Sequence, residues 1–386
     1  MSNIAIVVIG YNRPNSMQRL LNSLKVAEYY LDDVPLIISI DNSGSNNVKE
    51  VAEKFIWPYG KKTIKTYNKR LGLKKHILEC GKYTLSYKNI IVLEDDIYVS
   101  PVFYKFAKEA VEFYKNNKQI AGISLYSHAC NVVCNRPFSP IADRYDTYFM
   151  KFAQSWGQVW MKESWNEFIN WLNSEDSQKN LSNEVPESIN NWPETSWLKY
   201  HIKYLVDKNK YFVYPRKSLT TNFTDIGQHA KLKSTAYQVE IELDSFKKFY
   251  FAPFDSFSVK YDVYFENEDI YKKLKLEKND LCVDFYGAKK NKTNCRYWLT
   301  TNKENYKIIK KYSLSLRPQD LNVLENINGN DIFLYDTTVQ EKNVYNNKFS
   351  KLEYDFKAAS KEQLLKLSIY YYIQSIKEKI KSLIYK

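Results

Sequence analysis

The stretch Ile90-Ile-Val-Leu-Glu-Asp-Asp-Ile-Tyr-Val-Ser-Pro101 runs four apolar residues directly into Glu94, Asp95 and Asp96. An unbroken apolar run of this length predicts a strand covered on both faces, as in a parallel sheet. Three adjacent carboxylates at its end repel one another. A divalent cation removes that repulsion, and clustered acids with little His or Cys nearby suit Mg2+ or Mn2+ better than zinc. Such ions take few protein ligands and complete their shell with water and substrate phosphates, so a diphosphate substrate follows. A helix-capping acidic pair on a solvated loop would account for one Asp but not for the whole cluster.

Outward from this stretch the pattern alternates. Asn3 to Ile9 reads as a β-branched strand closed by Gly10, and Pro14 to Lys25 as a helix with Met17, Leu20, Leu21 and Leu24 on one face. Pro35 to Ile40 is a second strand ending at Asp41-Asn-Ser-Gly44, and Asn47 to Phe55 a helix. Thr63 to Tyr67 leads through Asn68-Lys-Arg-Leu-Gly72 into a helix reaching Leu85, and Asn89 to Leu93 is the fourth strand. Pro101 then opens a helix faced by Phe103, Phe106, Ala107, Ala110 and Phe113. The expected fold class is α/β, Rossmann-like, with a mainly parallel sheet and helices on both faces. Ligands bind such sheets beyond the carboxyl ends of the strands, so Arg13, Asp41, Arg70 and the Glu94-Asp95-Asp96 cluster should share one rim.

The 386 residues, 44% of them hydrophobic, exceed one usual domain. We expect the α/β domain over residues 1–244, a small β-rich accessory domain over 245–350 and an amphipathic helical segment over 351–386. The middle unit is read from aromatic runs such as Cys282-Val-Asp-Phe-Tyr286, Arg296-Tyr-Trp-Leu-Thr300 and Asp331-Ile-Phe-Leu-Tyr335. In the last segment Leu365, Ile369, Ile373, Ile376, Ile380 and Leu383 form one helical stripe, and lysines outnumber glutamates six to two over 361–386. That helix either lies on an anionic membrane surface or docks onto its own domain.

The net charge of +13 attracts anions without choosing among them. A nucleic-acid-binding or scaffolding protein would show a basic stripe with interleaved aromatics, whereas here the basic residues are dispersed among acids. Neither a P-loop nor a dinucleotide-type glycine pattern occurs, which argues against ATP hydrolysis and hydride transfer. A nucleotidyltransferase is disfavoured because Gly10-Tyr-Asn-Arg-Pro14 is too poor in glycine to cradle a triphosphate. Five scattered cysteines suggest reduced thiols, and His128 with Cys130 and Cys134 reads as structural. The absence of a signal-like start or a membrane-length apolar run leads us to expect a cytoplasmic protein, peripheral at most on the inner face of the membrane.

Ile4-Ala-Ile-Val-Val-Ile-Gly-Tyr-Asn-Arg-Pro14, Ile37-Ile-Ser-Ile-Asp-Asn-Ser43, Glu94-Asp-Asp96 and Ser155-Trp-Gly-Gln-Val-Trp160 occur in the order seen in nucleotide-sugar glycosyltransferases of the GT-A fold. The chain resembles a bacterial relative of the N-acetylglucosaminyltransferase I type and is similar to family 2 glycosyltransferases, over roughly residues 1–232. The resemblance implies a metal-dependent inverting glycosyltransferase that moves a sugar from a UDP-type donor to a hydroxyl of a glycan or lipid-linked glycan acceptor. Asp96 would hold Mn2+ or Mg2+, with Glu94 and Asp95 orienting the ribose and the metal's waters. Arg13 would meet the diphosphate, Asp41 the nucleobase, and Arg70 and Lys74 would add positive charge.

In the same resemblance the proton acceptor follows the tryptophan-rich segment, here Asn191-Trp-Pro-Glu-Thr-Ser-Trp197. Relatives carry consecutive aspartates just after a tryptophan where this chain has Leu198 and Lys199, so Glu194 is the first candidate, followed by Asp225 and Glu163. His229, in Thr220-Thr-Asn-Phe-Thr-Asp-Ile-Gly-Gln-His229, would reach the metal or the diphosphate. Trp156, Gly157 and Trp160 would form the acceptor side, although core packing competes for each tryptophan.

Overall fold

A computed structural model of the chain describes residues 4–181, 184–225, 237–289, 295–345, 347, 349–356 and 359–384. Its N-terminal part alternates β1 (Ile4–Gly10), α1 (Pro14–Lys25), β2 (Leu36–Ile40), α2 (Asn47–Lys54), β3 (Lys62–Thr66), α3 (Leu73–Gly81), the short α4 (Thr84–Tyr87), β4 (Asn89–Glu94), β5 (Ile97–Val99), α5 (Phe103–Tyr114) and β6 (Ile120–Ser124). Strands β4, β1, β2 and β3 lie side by side, all parallel. The strand Gln158–Met161 runs antiparallel between β4 and β6, Tyr211–Pro215 pairs parallel with β6, and Thr147–Met150 with Lys260–Tyr261 completes a nine-stranded, mostly parallel sheet.

Alternating side chains of each central strand feed two cores. Ile4, Ile6 and Val8 of β1 meet Met17, Leu20, Leu21 and Leu24 of α1 and the apolar face of α5. Ala5, Val7 and Ile9 meet Ile77 and Cys80 of α3 and the helices Lys162–Leu172 and Trp197–Asp207 on the other side. Each fully buried aliphatic side chain of α1 contributes on the order of 1.5–3 kcal/mol. Helices thus cover both faces, as the all-apolar strands require.

The expected boundary at residue 244 cuts through this unit, because Lys260–Tyr261 is the sheet's ninth strand and Ala252 and Phe265 are core residues. A separate four-stranded sheet, Leu281–Asp284, Tyr297–Thr300, Ile332–Gln340 and Tyr306–Tyr312 in that order, carries its own core of Leu281, Leu299, Ile332 and Leu334. In the helix Lys361–Ile384, Leu365, Ile369, Ile373 and Ile376 of the apolar stripe are 61%, 51%, 45% and 41% exposed. No helix among the described residues is long and apolar enough to cross a membrane.

Candidate active site

The carboxyl ends of β1 and β4 are neighbours, with Ile9 opposite Glu94, so the turn after β4 and the loop after β1 face each other across the rim. Asp95 and Asp96 form the turn between β4 and β5. Its backbone is fixed by the antiparallel pairing of β5 with Thr220–Asn222 and by the Phe223 N–H, which donates to the Asp96 carbonyl at 2.9 Å. Arg13, at the N-terminal end of α1, bridges the two aspartates: one guanidinium nitrogen donates to Asp96 Oδ2 at 3.0 Å and the other to Asp95 Oδ1. Asp96 Oδ1 is buried and has no hydrogen-bond partner among the described residues.

The charges at this turn are balanced unevenly. Glu94 is half-buried, and its carboxyl is pushed up to about 8, by burial first and then by Asp96 and Asp95. Asp95 is raised to about 6 by burial, with Arg13 pulling the other way. Burial disfavours the Arg13 cation, but Asp95 and Asp96 outweigh it and raise the guanidinium above its ordinary value. At neutral pH Glu94 is therefore largely protonated, while Asp95 faces the Arg13 guanidinium.

Asp225 belongs to the same cluster. Its carboxylate accepts from Ser16 Oγ at 2.7 Å and from Arg19, and its carbonyl accepts from Arg13 at 3.3 Å. Burial would raise this carboxyl, but the Arg19 and Ser16 hydrogen bonds hold it below the usual value. The Arg19 guanidinium also lies 3.8 Å from the centre of the Phe223 ring. Arg13, Ser16 and Arg19 are three residues apart, so they follow one another up one face of α1. That polar spacing, on a helix whose other face is apolar, was the signal for Ser16 and Arg19, which sequence reasoning missed.

Asp41 is 4% exposed, and its carboxylate receives the N–H groups of Asn42 and Leu71 at 2.8 Å each and of Gly72 at 3.0 Å. It therefore fixes the 68–72 loop against the ends of β1 and β2, and Gly72 supplies the positive φ of +79° that this loop needs. Arg70 is exposed, with its guanidinium 5.1 Å from the centre of the Tyr11 ring, beside the Gly10–Arg13 loop. Below them Ser39 Oγ and His76 Nε2 are 2.7 Å apart, and burial depresses His76 to about 4.

Other expected residues land elsewhere. Glu194 is exposed and bound to Lys199 at 2.6 Å and to Tyr200, which hold its carboxyl below the ordinary value. Lys74 does not turn toward the aspartates: it donates to the Glu194 carbonyl at 3.1 Å and sits 3.7 Å from the centre of the Tyr200 ring. Glu163 lines a cleft of about 790 Å³ with Ile4 and Asn89, at the amino ends of β1 and β4 and so on the opposite edge of the sheet. Trp160 is corrected to a core residue, 1% exposed and stacked on Trp165 at 3.9 Å, because its strand lies in the middle of the sheet. Trp156 is half-buried against Tyr126 and Tyr237. Gly157 is buried with φ +100°, and a Cβ there would stand 2.9 Å from Thr220 Cγ2, so it serves close packing of the loop. His128 is buried among aromatic rings including Phe152, Tyr214 and Phe265. His229 lies outside the described residues. Among the described residues no group of three or more His, Cys, Asp or Glu side chains is arranged to hold a metal ion.

A scan against protein-family models finds no match, and a search of curated proteins finds none. Solved structures that resemble this fold include the mannosyltransferase PcManGT from Pyrobaculum calidifontis in complex with GDP-Man and Mn2+, at 8% identity and TM-score 0.33 over 45% of this chain and 47% of that one. Another is S. aureus TarS 1-349 in complex with UDP-GlcNAc, at 12% identity and TM-score 0.39 over 61% of this chain and 62% of that one. The chain thus matches less than two thirds of the length of either. Likenesses with TM-scores this low decide neither fold nor activity.

Proposed function

We propose that this chain is a glycosyltransferase of the GT-A type, moving a sugar from a nucleoside-diphosphate donor, UDP in the first instance, to a hydroxyl of a glycan or lipid-linked glycan acceptor. The observation that carries the proposal is the buried Asp96 Oδ1, without a hydrogen-bond partner among the described residues, beside Asp95 and Arg13 at the carboxyl edge of a mostly parallel sheet. The residues fit a hard divalent ion, because Mg2+ or Mn2+ needs only one or two protein carboxylates when a diphosphate supplies further oxygens. Asp96 would hold it, with Asp95 and Glu94 beside it. When bound, the ion supplies Lewis-acid neutralisation of the departing diphosphate.

The chain's own residues do the remainder. Arg13 would pair with the diphosphate, and the loop that Asp41 fixes holds Arg70 beside the Gly10–Arg13 loop. Of the carboxylates considered for proton acceptance, Asp225 is the one whose backbone is bound to Arg13. It is ionised at neutral pH, as the proton acceptor in a single inverting displacement must be. Trp156 offers a partly exposed ring on which a pyranose of the acceptor can stack. The lysine-rich helix Lys361–Ile384, with its exposed apolar residues, would hold the enzyme on an anionic membrane surface where lipid-linked acceptors lie.

The test is hydrolysis or transfer across a panel of nucleotide sugars with Mn2+ or Mg2+. Turnover of one donor that stops with chelator supports the proposal. Failure to turn over any donor in the panel would sink it.

A further inference from the structure

Two carboxylates separated by no residue in sequence are held together here by a cation of the chain itself. Arg13 spans them with both terminal nitrogens, contacting Asp95 Oδ1 and Asp96 Oδ2, and takes a third acceptor in the Asp225 carbonyl at 3.3 Å. Its side chain keeps 22% of its surface exposed, against 5% and 12% for the two aspartates. The arginine therefore lies on the solvent side of the pair. A guanidinium and a divalent ion compete for this pair, since each answers the same negative charge and they repel each other at contact distance. Asp96 Oδ1 is the oxygen that Arg13 leaves unused.

Resting on the glycosyltransferase reading above, we propose that Arg13 and the divalent cation exchange on the Asp95–Asp96 pair. The cation displaces the guanidinium, and the freed guanidinium turns outward to the donor's diphosphate. Its backbone need not move, because Arg13 immediately precedes Pro14 at the start of α1 and the long side chain supplies the reach. Three consequences follow from the charges. In the absence of nucleotide the cation binds weakly, because it must first remove two charge-assisted hydrogen bonds. A diphosphate strengthens cation binding, because it offers Arg13 a new partner and the cation new oxygens. By reciprocity the cation strengthens diphosphate binding by the same factor. Arg13 thus makes the two ligands cooperative, a positioning role beyond that of a simple phosphate contact.

The experiment titrates Mn2+ into wild-type protein and into Arg13→Gln, following free Mn2+ by electron paramagnetic resonance with and without saturating UDP. Arg13→Gln should bind Mn2+ about tenfold or more tightly than wild type without UDP, and the enhancement by UDP should shrink to the part that the diphosphate oxygens supply directly. Arg13→Lys, which keeps the charge but makes a single-point contact, should fall between them, and circular dichroism confirms that each variant is folded. If wild type binds Mn2+ and UDP but Arg13→Gln binds Mn2+ no more tightly, the exchange is overturned while the glycosyltransferase reading stands. If neither protein binds Mn2+ with or without UDP, both are overturned.

Discussion

Glu94→Gln probes the electrostatics of the rim without deleting a residue that touches Arg13. The Glu94 carboxyl is raised from 4.5 to about 8, with burial as the largest cause, followed by Asp96 and Asp95. A carboxyl whose folded value is raised binds a proton that the unfolded chain releases. Between pH 4.5 and about 8 the folded state therefore loses stability as pH rises, with a limiting slope of about 1.4 kcal/mol per pH unit. Glu94 is half-buried rather than enclosed, so the part realised between pH 5 and 8 should be about 1–3 kcal/mol. Gln carries no such proton, so the variant's advantage over wild type should grow with pH and level off above about 8. At roughly 2–4 °C per kcal/mol for a domain of this size, the melting-temperature difference should widen by several degrees. Asp95 titrates nearby but is common to both proteins. Melting followed by circular dichroism at half-unit pH steps is the assay. A difference that stays flat, or narrows, from pH 5 to 8 would refute a Glu94 carboxyl raised by burial and its two acidic neighbours.

Asp41→Ala removes the acceptor of three backbone N–H groups and should cost about 2–4 kcal/mol, with the fastest-exchanging new amides at Leu71 and Gly72; unchanged exchange there would remove its loop-fixing role. Trp160→Ala should lower stability by about 3–5 kcal/mol as a core deletion, whereas Trp156→Ala should leave the fold intact; chemical denaturation distinguishes them. Removing residues 361–386 should preserve UDP binding and abolish sedimentation with phosphatidylserine vesicles, and retained sedimentation would count against a membrane role for the exposed helix.

Much of the α/β half was legible because its central strands carry long apolar runs. A run such as Ile4–Ile9 feeding cores on both faces has no polar alternation to confuse it, and α1 spans the expected Pro14–Lys25. The accessory strands Leu281–Asp284, Tyr297–Thr300 and Ile332–Gln340 overlie the aromatic runs that suggested them. The strand Lys260–Tyr261 was invisible because two residues carry no periodicity, and with it went the boundary at 244. Trp160 was misplaced for a related reason: nothing local shows that Gln158–Met161 inserts antiparallel between β4 and β6. At the site, adjacency in sequence exposed Asp95 and Asp96, whereas the Arg19–Asp225 pair joins residues 206 apart. Glu194 looked free because its neutralising partners, Lys199 and Tyr200, arrive only when the next helix folds back beside it.

On the proposed function Asp96, whose buried Oδ1 has no hydrogen-bond partner among the described residues, holds a divalent ion for a nucleoside diphosphate. Calorimetric titration of UDP into wild type and Asp96→Asn, each with and without Mn2+, tests it most directly. Wild type should bind UDP saturably and only with Mn2+, and folded Asp96→Asn should not bind it. UDP binding that is indifferent to Mn2+, or equal in the two proteins, would contradict it.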